Sequence, residues 1–365
     1  MKLYRAGAIA GLLASAVMLA ACSSSKSDDN GGGGGGSATG CAKGTLNGEG
    51  STAQTNAITQ WITDFQKKCD GATVNYNATG SGAGVTAFNG NQVDFAGSDS
   101  ALKVDKGEVT SATSRCGSTP LDLPMVVGPI AVAYKVAGLD SVTLTPELIA
   151  KIFTGKITKW NDAAIAAANS GVTLPATGIH VFFRSDSSGT TENFEKYLAA
   201  TAPDVFTATP DKDSSKAGFV GEGKPKSQGV AQAISATDGA IGYVEYSFAV
   251  QNNLGVAKVD NGGGAVELSK DSASAAAGAA TVVGTGNDLS LKIDYTTKAA
   301  GAYPIILVTY EIVCTKYSDA AKGALVKAFL NYASGAGQDS LAQLGYAPIP
   351  ADLLTKVKAS VATIS

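Results

Sequence analysis

Residues 181–198, VFFRSDSSGTTENFEKYL, put a short apolar strand, a polar turn and a helix in immediate succession. The helix shows in Phe194, Tyr197 and Leu198, which recur at i, i+3 and i+4. The turn holds Arg184 and a run of small hydroxyl residues around Gly189. Ser187 or Ser188 can cap the helix. Gly189 lets the backbone come close to whatever sits at the helix mouth. A helix start has free N–H groups and a partial positive charge, which suits an anion. Arg184 would add a full charge and a planar fork of donors. An ordinary capped helix with a surface arginine paired to Asp186 would read the same way, so one such turn decides little.

The pattern occurs twice more. Residues 46–54 (LNGEGSTAQ) precede a helix with Ile58, Trp61, Ile62 and Phe65 on one face. Residues 73–85 (TVNYNATGSGAGV) are another strand, Gly/Ser turn and helix start. Three strand-to-helix turns rich in Gly, Ser and Thr predict one convergent oxyanion site, since open α/β sheets bind ligands at the carboxyl ends of strands.

The chain opens with Lys2 and Arg5 and an apolar run to Ala21, the layout of a secretory signal over residues 1–21. That run is short for a membrane span. Leu19-Ala20-Ala21-Cys22 resembles the bacterial lipobox, which implies cleavage before Cys22 and a diacylglycerol on its thiol. Serines, Asp28, Asp29 and six glycines at 31–36 follow, with no apolar face to bury. Residues 22–43 therefore read as a lipid-anchored flexible tether.

The body from Cys41 is too long for a usual single core, so two lobes are expected. Without residues 1–21 the chain has 26 basic and 31 acidic residues, a net charge of −5. No overall basic field exists to collect nucleic acid. An anion would have to be held by local dipoles and one arginine. Four cysteines remain in an exported context that favours disulfides, and they allow three pairings. Cys41 and Cys69 bracket the first strand–helix unit and are paired on that ground, which leaves Cys116 with Cys314. No CxxC spacing suggests a zinc site.

The element order looks like repeated α/β. Residues 93–100 form a short strand ending in a polar turn at Asp99. Residues 124–135 read as an apolar strand pair and 303–314 as a buried strand. Helices are expected at 146–153, 271–280 and 320–332. The two apolar segments would carry the chain between lobes, giving a first lobe of 44–125 plus 304–365 and a second of 126–303. Trp61 and Trp160 sit at apolar helical positions and read as core.

Seven pieces then fall in one order: residues 46–54, 75–85 (NYNATGSGAGV), 93–100 (VDFAGSDS), 152–162 (IFTGKITKWND), 184–190 (RSDSSGT), 240–246 (AIGYVEY) and 303–305 (YPI). Together they resemble the periplasmic phosphate-binding proteins of bacterial ABC phosphate uptake systems, over essentially the whole chain after the tether. The resemblance implies an α/β, two-lobed type II (Venus-flytrap) fold with two chain crossovers. It also implies a monomer on the extracytoplasmic face of the membrane that binds dehydrated phosphate between its lobes and delivers it to a membrane permease. Carried over by motif, the ligand set is Thr52, the Ala53 N–H, Ser81, Asp99, Arg184, Ser188, Gly189 and Thr190, with Asp186 bracing Arg184. Many relatives have Phe-Pro where this chain has Ala53-Gln54, but the family uses the backbone there.

Other readings fit less of the chain. Gly48-x-Gly50-x-x-Ala53 with Asp70 matches a dinucleotide fingerprint, yet an exported protein has little access to such cofactors. A secreted phosphatase would need metals or a nucleophile–base pair. The single histidine, His180, has no carboxylate cluster in the sequence and reads as structural, so neither enzyme chemistry nor a cofactor is expected. A surface adhesin leaves the three turns unexplained. Sulfate and molybdate receptors share the architecture, and Asp99 argues for phosphate among them. A carboxylate in the site must meet a proton on the ligand, which sulfate does not carry near neutrality.

Overall fold

The computed structural model describes residues 40–365; the signal segment, Cys22 and most of the tether lie outside the described residues. The main sheet has nine strands. Across it run Ala72–Ala78, Gly44–Gly50, Phe95–Ser98, Ile306–Cys314, Pro120–Lys135, Ala240–Glu245, His180–Arg184 and Glu222–Lys224, while Gly255–Val256 pairs on Pro120–Lys135. The first three are parallel, as are the last three. Between the two groups Ile306–Cys314 and Pro120–Lys135 lie antiparallel to each other and to their outer neighbours.

That central pair is buried on both faces, hence the near-continuous apolar sequence. Pro120–Lys135 is a single strand of 16 residues rather than the expected pair. It stays one strand because it changes core instead of turning back. Leu121 to Val127 pack in one hydrophobic cluster and Ile130 to Val136 in another, with Gly128 and Pro129 at the passage. The returning chain does likewise: Tyr303, Ile305 and Leu307 belong to the second cluster, Val308 and Ile312 to the first.

The first core is sealed by Thr55–Lys68, whose Ile58, Trp61 and Phe65 are fully buried, and by Ala320–Ala333 through Leu325, Val326, Phe329 and Leu330. Each such side chain contributes about 1.5–3 kcal/mol of burial. The second core gathers Phe153, Trp160, Phe194, Tyr197 and Tyr243. Trp160 lies on a turn, not a helix, and its Nε1 donates to Gly239 O at 3.0 Å. The helix Lys270–Gly278 sends Ala273, Ala276 and Ala277 to the first core, within the stretch expected to serve the second.

Cys41 is bonded to Cys69 and Cys116 to Cys314. The first closes a sequence separation of 28 residues and the second one of 198. A cross-link stabilises chiefly by restricting the unfolded chain, more so for longer loops. The Cys116→Ser/Cys314→Ser variant is therefore expected to lose roughly 2–5 kcal/mol in urea unfolding, and Cys41→Ser/Cys69→Ser about 1.5–2 kcal/mol less than that. Equal losses would show that local strain, not chain entropy, sets the effect.

Candidate anion-binding site

Three helix starts and one strand end meet at Asp99. The strand Gly44–Gly50 runs into the turn Ser51–Gln54, whose Ser51 N–H donates to Gly97 O at 2.7 Å. Gly50 has φ of 141°, and a Cβ there would stand 2.0 Å from Gly97 O, so only glycine lets these strand ends lie so close. Gly50 O accepts from Thr79 and Gly80, the turn before the helix Ser81–Asn89. Gly82 N–H in turn donates to Ser187 O at 3.1 Å, joining the second turn to the third. Ser188 caps the helix Gly189–Thr201 by accepting from Thr191 N–H at 3.2 Å. A Cβ on Gly189 would fall 2.6 Å from Asp99 Cβ and 2.7 Å from Ser81 Oγ. The backbone approach expected of this glycine is made toward the carboxylate itself.

Asp99 is buried, and all its acceptors are served. Its Oδ1 accepts from Ser51 Oγ at 2.5 Å and Thr309 Oγ1 at 2.8 Å. Its Oδ2 accepts from Ser81 Oγ at 3.1 Å and, at the long limit of 3.5 Å, from Thr190 Oγ1. Asn193 Nδ2 holds its carbonyl at 2.7 Å. Burial pushes the Asp99 carboxyl above its ordinary value, against the hydrogen bonds of Ser51 and Thr309, the charge of Arg184 and the Ser81 hydroxyl.

Arg184 is not a surface residue: it is only 2% exposed. Its Nε donates to Asp186 Oδ1 at 2.7 Å and its Nη2 to Asp186 Oδ2, a bidentate pair. Asp186 also accepts from Lys226 N–H at 2.9 Å. Burial works against the charge on Asp186, but Arg184 and that N–H outweigh it and hold the carboxyl below its usual range. The remaining fork atom, Nη1, reaches Ser227 Oγ at 3.4 Å. Ser227 Oγ lies 2.9 Å from Thr52 Oγ1, which also accepts from Ser227 N–H at 3.2 Å.

The structure thus gathers Ser81, Gly189 and Thr190 around Asp99 and places Thr52 and Arg184 on either side of Ser227. Ala53 N–H is engaged by Ser51 Oγ at 3.1 Å, and the Ala53 side chain seats in the second core. Sequence reading missed Ser51, Ser227, Asn193 and Thr309. Ser51 lies within the first Gly/Ser/Thr turn, and Lys224-Pro225-Lys226-Ser227 carries the proline of a helix start, so both left a signal. His180 is exposed at the outer end of its strand, and Trp61 is core.

The domain model of the PBP superfamily matches residues 35–336. Phosphate-binding protein PstS 3 of Mycobacterium leprae (strain TN) is 44% identical over 373 residues, covering 100% of both chains. Phosphate-binding protein PstS 3 of Mycobacterium tuberculosis (strain ATCC 25618 / H37Rv) is 46% identical over 374 residues, again covering 100% of both. The chain therefore belongs to the PBP superfamily and, within it, to the family of these phosphate-binding proteins. In fold it resembles a high-affinity periplasmic phosphate-binding protein (PfluDING) solved with phosphate, with a TM-score of 0.71 at 24% identity over 87% of this chain and 93% of that one. The expected type II periplasmic-binding-protein architecture holds.

Behind the site lie further buried acids. Both carboxyl oxygens of Glu311 are buried without a hydrogen-bond partner. Its strand residue pairs with Gly97, two positions before Asp99. Burial pushes Glu311 up to about 8, helped by the charge on Asp99. Burial likewise raises Asp122, with Asp288 adding to it, and Glu195, each to about 8. A carboxyl raised in the folded state keeps a proton that the unfolded chain has lost. Its stabilising effect is complete below the unfolded value of about 4.3 and disappears as pH rises through about 8. Melting is accordingly expected to fall between pH 5 and 9. Glu311→Gln, which keeps shape and cannot ionise, is expected to lose roughly 2–4 kcal/mol less over that range than the parent chain. Parallel pH profiles of parent and variant would mean that Glu311 does not titrate there.

Proposed function

We propose that this chain binds inorganic phosphate outside the cytoplasmic membrane and delivers it to an ABC phosphate permease, doing no chemistry of its own. The observation that carries the reading is one buried carboxyl, Asp99, gathered with one buried guanidinium, Arg184, among three helix starts. Charge-assisted donors and helix dipoles together neutralise an oxyanion, and the single carboxylate selects one that carries a proton. The relatives named above support it, being phosphate-binding proteins, as does the periplasmic one among the solved structures.

In this reading Thr52, Ala53 N–H, Ser81, Asp99, Arg184, Ser188, Gly189 and Thr190 take the ligand, with Asp186 holding the arginine. Residues 44–125 with 304–365 act as one lobe, joined by the helix Lys270–Gly278 that packs on its core, and the remainder of 126–303 acts as the other, hinging at the two strands shared by both cores and closing on phosphate. The protein works as a monomer. Among the described residues no helix is long and apolar enough to cross a membrane, and the attachment is assigned to an acylated Cys22 on its tether. Intact mass of the membrane-extracted protein is then expected to show residues 1–21 missing and acyl mass added. A soluble product beginning elsewhere would remove the anchor from the reading.

Selection is tested at Asp99. An ionised carboxylate only accepts, and hydrogen phosphate brings the O–H it requires. Sulfate would leave two oxyanions facing each other across a dry contact. Asp99→Asn supplies an N–H and removes the repulsion. The variant is expected to keep measurable phosphate binding and gain sulfate binding, so that the affinity ratio falls at least about tenfold, or ~1.4 kcal/mol. Competition calorimetry measures this ratio. A parent protein that binds sulfate as well as phosphate would overturn the reading.

A further inference from the structure

The strand Ile306–Cys314 is buried along its whole length, and Thr309 sets a hydroxyl in its run of Ile, Leu and Val. A buried hydroxyl costs free energy unless it finds a partner. The ladder to the neighbouring strand slips at this point. Thr309 stands opposite Val126 and Tyr310 opposite Pro124, so Met125 is left over. Such a bulge re-aims the side chains beside it. The Thr309 hydroxyl meets Asp99 Oδ1 at 2.8 Å, across 210 residues of sequence.

The two oxygens of Asp99 consequently have different surroundings. Oδ1 is tied by Thr309 and Ser51, neither of which is in the proposed ligand set. Oδ2 faces Ser81 and Thr190, which both are. The two short bonds on Oδ1 fill its lone pairs and fix the carboxyl plane, whereas the bonds to Oδ2 are longer, at 3.1 and 3.5 Å, and come from hydroxyls of the ligand set, so Oδ2 is the oxygen that a ligand proton can engage.

We propose that Thr309 is a positioning residue for anion selection: by holding Asp99 Oδ1 it keeps Oδ2 an ionised acceptor turned toward Ser81 and Thr190 of the proposed ligand set, and so sets the preference for phosphate over sulfate. This rests on the phosphate reading above. The physical route is direct. A hydroxyl donating to a carboxylate favours its charged form. Without that donor Asp99 takes up a proton more readily and becomes a donor itself, which sulfate can accept. Arg184, Glu311, Glu245, Tyr76 and Tyr346 are the charged or titratable groups around Asp99. None of them is altered by the substitution itself, so a difference between variants at equal pH reports the missing hydroxyl.

The test titrates phosphate and sulfate by calorimetry from pH 5 to pH 9 into the parent chain, Thr309→Val and Thr309→Ser. Valine keeps the shape and removes the donor. The phosphate-to-sulfate ratio of Thr309→Val is expected to fall about tenfold, the scale of one buried hydrogen bond to a charged group. The fall is expected to begin at a higher pH than in the parent, and serine is expected to restore both ratio and profile. A purely structural threonine would lower the melting temperature and weaken both anions alike, with the ratio unchanged at every pH; that result overturns the inference. If Thr309→Val does not fold, Ser51→Ala strips the other donor from the same oxygen and is expected to move the ratio in the same direction; an unmoved ratio there has the same adverse meaning. A parent chain that fails to prefer phosphate undoes the functional reading instead, whereas a selective parent with an unaltered Thr309→Val variant undoes only this step.

Discussion

A carboxylate cannot leave water unless something replaces the water it gives up, and the site is arranged around that demand at Asp99. Its replacement solvent is a set of hydroxyls drawn from separate segments: Ser51 after one strand, Ser81 and Thr190 from two helix starts, and Thr309 from the returning strand. None of these is near it in sequence. The strand order that brings Gly44–Gly50, Phe95–Ser98 and Ile306–Cys314 side by side is what lets them converge. Desolvation still raises the Asp99 carboxyl above its normal value, so the donors offset the cost only in part. A site left in that condition gains from a ligand that offers one more hydrogen.

The negative overall charge is no obstacle, because the surroundings are neutralised pair by pair. Arg184 is bound to Asp186. Glu192 is held by Lys103 at 2.9 Å and Lys196 at 2.7 Å, which overcome its burial and keep it ionised, at about 2. Lys106 meets Asp211 at 2.8 Å. The pairs of Lys103 and Lys106 join segment 100–108 to segment 192–211, stitching the two halves beside the site. They are local, and a net charge counted over the whole chain says nothing about them.

Much of this was legible in the residues. The three Gly/Ser/Thr turns were visible because a helix mouth that admits an anion needs small residues, and small residues in a run are conspicuous. Asp99 stood out at the end of a short strand, and Arg184 and Asp186 two residues apart. Thr309 was not legible, since one threonine in an apolar strand looks like any β-branched residue. Only the register slip opposite Met125 gives it a direction. Ser227 is marked as a helix start by Pro225, but its contacts are not legible: its partners, Thr52 and Arg184, lie in different turns, and no local pattern marks a contact of that kind. The segment 124–135, part of the single strand Pro120–Lys135, reads as a strand pair because Gly128 and Pro129 interrupt its apolar run. In the fold they mark the point where one continuous strand exchanges cores. The helix at 270–278 was found, but its allegiance to the first core depends on contacts far along the chain.

The pairing of Pro120–Lys135 with Ile306–Cys314 fixes the order in which the molecule can be finished. Everything between those strands must be made before they meet, and the second is near the end of the chain. Until then the sheet is two incomplete halves with open inner edges, and non-local pairing of this sort is slow. A ribosome-bound chain of this topology therefore has no completed native state to fall into before synthesis is almost over. The same late closure also assembles the candidate anion site, because Thr309 reaches Asp99 only once Ile306–Cys314 has paired with Phe95–Ser98.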